Sequence, residues 1–354
     1  MNDRLSAQIA FLKQADRLKT VDRANTLLDQ SRPENSAEHS WHLALWALVM
    51  GPLAGSDVSI DRVIRMLLLH DLVEIIVGDH PIHLETDWQS VAKAEHAAAF
   101  DLFSLLPPDQ TQGFLELWTE FEADQTPDAK FAKMLDRCQP LFQVLYASPK
   151  RPDHMEIARE NLATGRAAYL SEALPQAYEH AAALLADAPT EGNSFTQRLA
   201  FLVEADQLKS VMRASRLMAA DRFENSAEHS WHIMLYAWVL AEHADAEVQL
   251  DRVLHMLLLH DIVEIDAGDH PIHGQVDHAA QAEKEEAAAR RLFGLLPQDQ
   301  TEAFSDVWHE FESANSADAR FAKAVDPFQT PSASIIANLG WSKAILPSFS
   351  ACSP

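Results

Sequence analysis

Cysteine is scarce in this chain, which has two, Cys138 and Cys352, among 354 residues. So small a number excludes a disulfide framework, and we expect a reducing, cytoplasmic setting. Glycine is also sparse, with 10 residues, and the longest apolar stretch, Leu43 to Gly55, is interrupted by Gly51 and Pro52. The first residues contain no apolar signal core. We therefore expect neither an export signal nor a membrane-spanning segment.

Basic residues are few in this sequence. The chain has 28 Lys and Arg against 53 Asp and Glu, a formal net charge of −25. The negative field opposes contact with nucleic acid or an anionic membrane, so we expect no extended nucleic-acid interface. Hydrophobic residues make up 47% of the sequence, which is enough for a large core and argues against general disorder.

The sequence is internally duplicated. The segment from Phe11 to Asp136 recurs from Phe201 to Asp326 without insertion or deletion, and both copies contain the strings ENSAEHSWH, MLLLHD and GDHPIH. A repeat this long predicts two globular domains rather than a solenoid unit. We expect a complete domain over residues 1–188 and a second copy over 189–354. The copies could pack together as an internal dimer, or the chain could form a homo-oligomer.

Apolar residues recur at helical spacing, which predicts an all-α fold without a convincing strand. One helix should be capped near Asn35 or Ser36, and a second should begin near Asp61 and end at Gly78. Further helices are predicted over Val91–Leu105, Gln110–Glu122, Asp128–Tyr146 and Met155–Leu185. Three tryptophans are expected in the core rather than in a base-stacking surface: Trp41, Trp46 and Trp118.

The second copy departs from the first after Asp326. The residues that follow include one charged side chain, Lys343, whereas the matching stretch after Asp136 is well charged. Pro327 should disfavour helical geometry at Asp326. We therefore expect the second domain to be truncated at its carboxyl end, with replaced or out-of-frame sequence as its tail.

Two histidines of the first copy lie on predicted core-facing stripes. His39 precedes Leu43 and Trp46 at helical spacing, and His70 follows Leu67 in the same way. Such a histidine is usually a hydrogen-bonded core residue, but an ordered set with carboxylates can converge between helices as ligands of a divalent cation. The candidate ligands are His39, His70, Asp71 and Asp136, repeated in the second copy as His229, His260, Asp261 and Asp326.

Further charged residues could complete such a site. Glu74 lies one predicted helical turn after His70, where a carboxylate can deprotonate a water or, alternatively, fix a metal ligand. Local positive charge for an anionic substrate could come from three residues: Arg23, Lys133 and Arg32. For Arg32 a surface salt bridge is the default interpretation.

The order His, His-Asp, Asp within EHSWH, LLLHDLVEIIVGD and FAKMLDR resembles the HD-domain metal-dependent phosphohydrolases, especially the YfbR-like and HDDC-type five-prime deoxynucleotidases. The resemblance implies a helical bundle in each copy and metal ligation by the two sets of four residues. It also implies phosphate contact by Arg23 and proton transfer or nucleoside contact by Asp79. Ala24 stands where the YfbR-like pattern has tryptophan, so base and sugar preference do not transfer.

We therefore expect a metal-dependent phosphohydrolase that releases phosphate from deoxynucleoside 5′-monophosphates. Its cofactor would be a divalent ion, one of Mn, Co, Fe, Ni or Zn, and its partner a small-molecule nucleotide. Alternatives are hydrolysis of nucleoside triphosphates or cyclic nucleotides, and a non-catalytic helical binding module. A second metal at His80 and His83 is a further alternative.

Overall fold

The computed structural model describes residues 3–80, 86–190, 192–218, 220–269 and 277–338, with side chains described as far as residue 329. The predicted all-α class is confirmed, since each copy is a bundle of helices. The first copy contains α1 Asp3–Ala15, α2 Ser36–Met50, α3 Ile60–Leu69, α4 Glu74–Val77, α5 Trp88–Phe103, α6 Pro108–Ala123, α7 Pro127–Tyr146, α8 Pro152–Ala163, α9 Leu170–Ala173 and α10 Pro175–Leu185.

The second copy repeats the first seven of these helices. They are α11 Ser194–Ala205, α12 Ser226–Leu240, α13 Leu250–Leu259, α14 Glu264–Ala267, α15 His278–Phe293, α16 Gln298–Ser313 and α17 Ala317–Asn338. A single turn of 3-10 helix follows the first helix of each copy, at Asp16–Thr20 and Asp206–Ser210. Three other 3-10 turns lie at Gly51–Leu53, Ala241–His243 and His260–Val263.

Helix α2 is the central element of the first copy. The side chain of Asn35 accepts hydrogen bonds from the backbone N–H groups of Ala37 and Glu38, and the Glu38 carboxylate accepts one from the backbone of Asn35. This capping box satisfies N–H groups that a helix leaves unpaired at its start. Every residue of α2 except Leu48 is buried, so its polar side chains must find partners inside the protein.

Two short antiparallel ribbons contradict the prediction that no strand would form. β1, Asp22–Thr26, pairs with β2, Pro33–Asn35, and β3, Met212–Arg216, pairs with β4, Phe223–Asn225. The first strand of each ribbon is polar and partly exposed, without the apolar alternation that signals a strand. Contact with the rest of the bundle, and not local propensity, therefore specifies this pairing.

The predicted helix over Met155–Leu185 is wrong in its continuity, because the chain forms α8, α9 and α10 instead. The break after α8 includes Gly165, and α10 begins at Pro175, a position that suits proline because it has no N–H to donate. The other three predicted helices are confirmed to within three residues at each end. Trp41, Trp46 and Trp118 are buried in the core as expected.

The predicted helix from Asp61 to Gly78 is interrupted as well. α3 ends at Leu69, a tight turn carries His70 and Asp71, and α4 starts at Glu74. The turn lets adjacent side chains of the sequence face one site, which a regular helix would prevent by placing them 100° apart. Gly78 ends α4 with a φ of 79°, in the region that favours glycine.

Pro327 does not end the helix at Asp326, contrary to the prediction, because α17 continues through the proline. A proline inside a helix removes one hydrogen bond and costs about 3 kcal/mol. Here the same helix buries Phe321, Ala322 and Val325, and this packing outweighs the cost. Asp326 consequently keeps the helical position that its counterpart Asp136 occupies in α7.

The two copies pack directly on each other through α2 and α12. The indole N–H of Trp41 donates to the carbonyl of Leu258 at 3.3 Å, and that of Trp231 donates to the carbonyl of Leu68 at 3.1 Å. The paired contacts indicate a pseudo-twofold arrangement. The boundary near residue 188 stays a prediction. Among the described residues, no helix combines the length and apolar character needed to cross a bilayer.

Candidate metal centre

His39 and His70 present free ring nitrogens to one point between helices. The Nδ1 of His70 lies 2.8 Å from the carbonyl of Leu67, and the Nδ1 of His39 lies 3.2 Å from Oε2 of Glu34. Both Nε2 atoms are buried without a hydrogen-bond partner. In His70 the carbonyl acceptor at Nδ1 fixes the proton there and leaves the Nε2 lone pair available, as in histidines that ligate metals. In His39 the carboxylate of Glu34 lies on the Nδ1 side of the ring, opposite the nitrogen that faces the site.

Carboxylates complete the first site. Oδ1 of Asp136 lies 3.5 Å from Nε2 of His39 and 3.9 Å from Nε2 of His70, while Oδ1 of Asp71 lies 3.1 Å from the latter nitrogen. Burial alone would raise the pKa of Asp136, but the neighbouring imidazoles of His39 and His70 lower that pKa below its usual range. The structure thus brings the four predicted ligands together.

Arg23 is the nearest cation and is surrounded by acids. Its NH1 donates to Oδ2 of Asp71 at 2.7 Å, and its Nε lies 3.7 Å from Glu34. Burial would lower the pKa of Arg23, but the nearby carboxylates, Asp71 first and then Glu74, raise the pKa above its ordinary value. More negative than positive charge converges here, which favours a bound cation.

Glu74 accepts a hydrogen bond from the hydroxyl of Ser36 at 2.5 Å and lies beside the site. Burial and the charge of Asp71 raise the pKa of Glu74 well above its ordinary value. Burial, despite the opposing charge of Arg23, also raises the pKa of Asp79. Perturbed carboxyl groups in a cavity are typical of acid–base sites. Their catalytic roles stay predictions.

Two cavities meet at this centre. One, of about 360 Å³, is lined by His70, Asp71, Glu74, Lys133 and Asp136. The other, of about 180 Å³, shares Arg23, Asp79, His80 and Asp136 with it and extends between α7 and α8. The ammonium of Lys133 bonds Glu122 at 2.7 Å and lies 4.0 Å from the centre of the Phe121 ring.

Sequence reasoning missed several residues around these cavities. Arg166 lines both cavities and stacks on Trp88, with its guanidinium 4.8 Å from the ring centre. It follows the helix break that the sequence pattern did not reveal. Glu34 was also missed. It begins the string that is identical in both copies and that contains the candidate ligand His39, so its presence in both copies was an available signal.

Arg32 falls outside the centre, although the sequence made it a candidate phosphate contact. Arg32 binds both oxygens of Glu38, at 2.6 and 2.8 Å, and donates to the carbonyl of Lys209 in the other copy at 2.7 Å, so it is an inter-copy contact. His80 lines the cavities, but His83 lies outside the described residues, and the second-metal alternative therefore stays untested.

The second copy reproduces the arrangement. Nε2 of His229 lies 2.9 Å from Asp326, Nε2 of His260 lies 3.0 Å from Asp261, and Arg213 donates to Asp261 at 2.9 Å. A cavity of about 250 Å³ contains Glu264, which accepts a hydrogen bond from Ser226 at 2.6 Å. The doubt that Pro327 cast on this ligand set is thus not supported by the geometry.

The donor set fits a divalent ion in both copies. In the first copy the Nε2 atoms of both histidines are buried without a hydrogen-bond partner, whereas in the second copy the Nε2 of His260 is unpartnered and that of His229 contacts Asp326. Two aspartates lie beside the imidazoles in each copy, and this mixed set of nitrogen and oxygen donors suits first-row transition metals. Two further acidic and histidine clusters among the described residues already contain a buried lysine ammonium, Lys19 in one and Lys209 in the other. In each of these clusters the ammonium already pairs with both carboxylates and takes the place that a metal ion would occupy.

The protein is a duplicated helical bundle, and each copy contains a candidate ligand set of histidines and aspartates between its helices. The HD domain family model matches the chain twice, over residues 15–178 and 205–342. Because these matches cover most of the chain, the protein belongs to the HD domain family.

Curated relatives resemble one copy. The human 5′-deoxynucleotidase HDDC2 is 32% identical over 136 residues, which are 38% of this chain and 65% of the human protein. The Schizosaccharomyces pombe 5′-deoxynucleotidase hdd1 is 27% identical over 141 residues, 38% of this chain and 70% of the yeast protein. The chain thus spans 65% of the length of its human relative.

A solved structure also matches. It is described as a predicted metal-dependent phosphohydrolase from Magnetospirillum magnetotacticum MS-1, and it is 50% identical with a TM-score of 0.38. The match covers 40% of this chain and 71% of the other chain.

Proposed function

We propose that this protein is a metal-dependent phosphohydrolase that releases phosphate from deoxynucleoside 5′-monophosphates. The observation that carries the proposal is the pair of buried, unpartnered Nε2 atoms of His39 and His70 facing Asp71 and Asp136. Relatives named 5′-deoxynucleotidase support the substrate class.

The residues that would hold the ion are His39, His70, Asp71 and Asp136. A divalent ion there would supply Lewis acidity toward a phosphoryl oxygen and lower the pKa of an attacking water. Glu74 would accept a proton from that water, since it lies in the same cavity and Ser36 orients its carboxylate. Attack at phosphorus would break the bond to the 5′ oxygen, to which Asp79 would supply a proton.

Positive side chains would neutralise the phosphate. Arg23 and Lys133 both line the cavity that contains the ligands. Arg23 donates to Oδ2 of Asp71, whereas Oδ1 of the same carboxylate faces His70, so the guanidinium lies beside the ligand set and would contact a phosphate bound there. The adjoining cavity between α7 and α8 offers Leu141, Val144 and Ile157 as apolar walls beside polar groups, which suits a nucleoside.

The test is phosphate release over a panel of nucleoside mono- and triphosphates and cyclic nucleotides. Protein loaded with Co²⁺ or Mn²⁺ should release orthophosphate from deoxynucleoside monophosphates. In an Asp261→Ala background, which disables the second centre, Asp71→Ala should reduce the rate by at least about 100-fold. Asp261→Ala reports the contribution of the second copy. Pyrophosphate or tripolyphosphate as the main product would instead indicate the triphosphatase alternative. Full retention of activity in Asp71→Ala would contradict catalysis at the first centre.

A further inference from the structure

A lysine from each copy lies fully buried inside the other. Lys209, in the 3-10 turn after α11, has a side-chain exposure of 0%. Its Nζ donates to Oε1 of Glu34 at 2.7 Å, lies 2.9 Å from Nδ1 of His42 and pairs with Asp206. Lysine is almost never fully buried unless it is paired, so this placement needs the acceptors that the first copy provides.

Glu34 connects this lysine to the candidate metal centre. One carboxylate oxygen, Oε1, binds Lys209, while the other, Oε2, lies 3.2 Å from Nδ1 of His39. The opposite nitrogen of the same ring faces Asp136 at 3.5 Å. The three groups therefore form a chain of contacts that starts in the second copy and ends at a ligand of the first.

An equivalent chain of contacts leads from the first copy to the centre of the second. Lys19 of the first copy donates to Oε1 of Glu224 at 2.6 Å and lies 2.9 Å from Nδ1 of His232. Oε2 of Glu224 lies 3.4 Å from Nδ1 of His229, a candidate ligand of the second centre. The duplication thus places the same groups in the same order at both centres.

We propose that Lys209 is a positioning residue for the first metal centre, and Lys19 for the second, so that each copy completes the site of the other. The proposal depends on the metal site of the proposed function. Lys209 holds Glu34 as an oriented acceptor for the ring of His39, which keeps the Nδ1 proton in place and directs Nε2 toward the ion. Without the ammonium, Glu34 would be a buried carboxylate that has lost its closest ion-pair partner and keeps only the more distant Arg23, at 3.7 Å.

The experiment measures Co²⁺ affinity in the full-length chain by competition with a chelator, together with the visible absorption of bound Co²⁺. A His260→Ala/Asp261→Ala background disables the second centre, so that one site is measured. In it, Lys209→Met should weaken Co²⁺ binding by about 10- to 100-fold, the usual effect of losing a group that orients a ligand. The absorption spectrum should change as well.

Lys19→Met is the matched control, because it removes the equivalent ammonium from the same interface. In the same background it should leave Co²⁺ affinity within about twofold of the parent, since its contacts lead to the other centre. In a His70→Ala/Asp71→Ala background, which leaves only the second centre, Lys19→Met should weaken Co²⁺ binding and Lys209→Met should not. Thermal unfolding of both variants checks that the interface is disturbed to a similar extent.

Equal loss of affinity in Lys209→Met and Lys19→Met would overturn the proposal, because it would indicate a general effect of the interface. If Lys209→Met does not fold, the Co²⁺ affinity of Glu34→Gln is measured in the same background instead. That variant is isosteric and should also weaken the first site by about 10- to 100-fold, and parental affinity would overturn the proposal. Since the readout is Co²⁺ binding, absence of phosphate release by the wild-type protein would contradict the proposed function alone.

Discussion

At the scale of single residues, the candidate site depends on which ring nitrogen or carboxylate oxygen each neighbour engages. His39 and His70 each have an acceptor beside Nδ1, and this leaves Nε2 for the ion. Glu74 differs from the carboxylate ligands Asp71 and Asp136, because Ser36 binds one of its oxygens and because its pKa is raised whereas their pKa values are lowered. This combination suits a group that exchanges a proton.

We predict that, in an Asp261→Ala background, Glu74→Gln lowers the rate of phosphate release by about 10² to 10⁴-fold, the usual contribution of a general base. Co²⁺ affinity should be retained, because the residue is not among the ligands. Burial and Asp71 raise the pKa of Glu74, so its base form increases with pH, and wild-type activity should rise with pH on the acidic side.

Glu264→Gln, the equivalent change in the second copy, is the control for this prediction. It should leave the rate at the first centre unchanged, which is measured in an Asp261→Ala background. A loss of Co²⁺ affinity equal to the loss of rate in Glu74→Gln would instead assign the residue to ligand positioning.

At the scale of elements, the residues that begin α2 both stabilise the fold and position the candidate site. Asn35 caps the helix and also donates from its side chain to Glu228 of the other copy at 2.9 Å, while Asn225 donates to Glu38 at 2.7 Å. Because His39 follows one turn later, the cap sets where this ligand enters the centre.

We predict that Asn35→Ala lowers the free energy of unfolding by about 2 to 4 kcal/mol, combining a lost cap with an unsatisfied buried partner. Asn193→Ala provides the comparison, since Asn193 caps α11 with the same hydrogen bonds but is exposed. It should cost about 1 kcal/mol. Urea unfolding measures both values, and equal losses would show that the inter-copy bond contributes nothing.

At the scale of the whole molecule, buried charge is distributed across the interface between the copies. His232 illustrates this: Nε2 lies 2.9 Å from the carbonyl of Leu12, and Nδ1 faces the ammonium of Lys19. Burial and the charge of Lys19 lower the pKa of His232 to about 3. The ring is therefore neutral in the folded protein over the usual pH range.

We predict that this histidine destabilises the fold as pH falls. The unfolded chain binds the proton below a pKa near 6.5 while the folded chain does not, so stability is full above that value and decreases toward pH 3. Between pH 7.5 and 5.5 the loss should be about 1.4 kcal/mol. Urea unfolding at both pH values should show that His232→Gln lacks this part of the pH dependence, whereas His309→Gln, at an exposed site, retains it. An unchanged pH dependence in His232→Gln would contradict the assignment.

Helical periodicity and the exact repeat were sufficient to predict the helical class, the duplication and the ordered set of candidate ligands, because these follow from local spacing along the chain. His39, His70, Asp71 and Asp136 could be identified in this way. The break at His70 and the division of Met155–Leu185 could not, since neighbouring elements compete with local helical preference.

Tertiary structure alone decided how the copies depend on each other. Lys19 and Lys209 look like ordinary surface lysines in the sequence, and nothing local indicates that each lies buried in the opposite copy. A buried charge is tolerated only where acceptors converge on it, and those acceptors, Glu224 and Glu34, are far away along the chain. Local spacing therefore determines which side chains share a helix face, whereas long-range packing determines which charges neutralise one another.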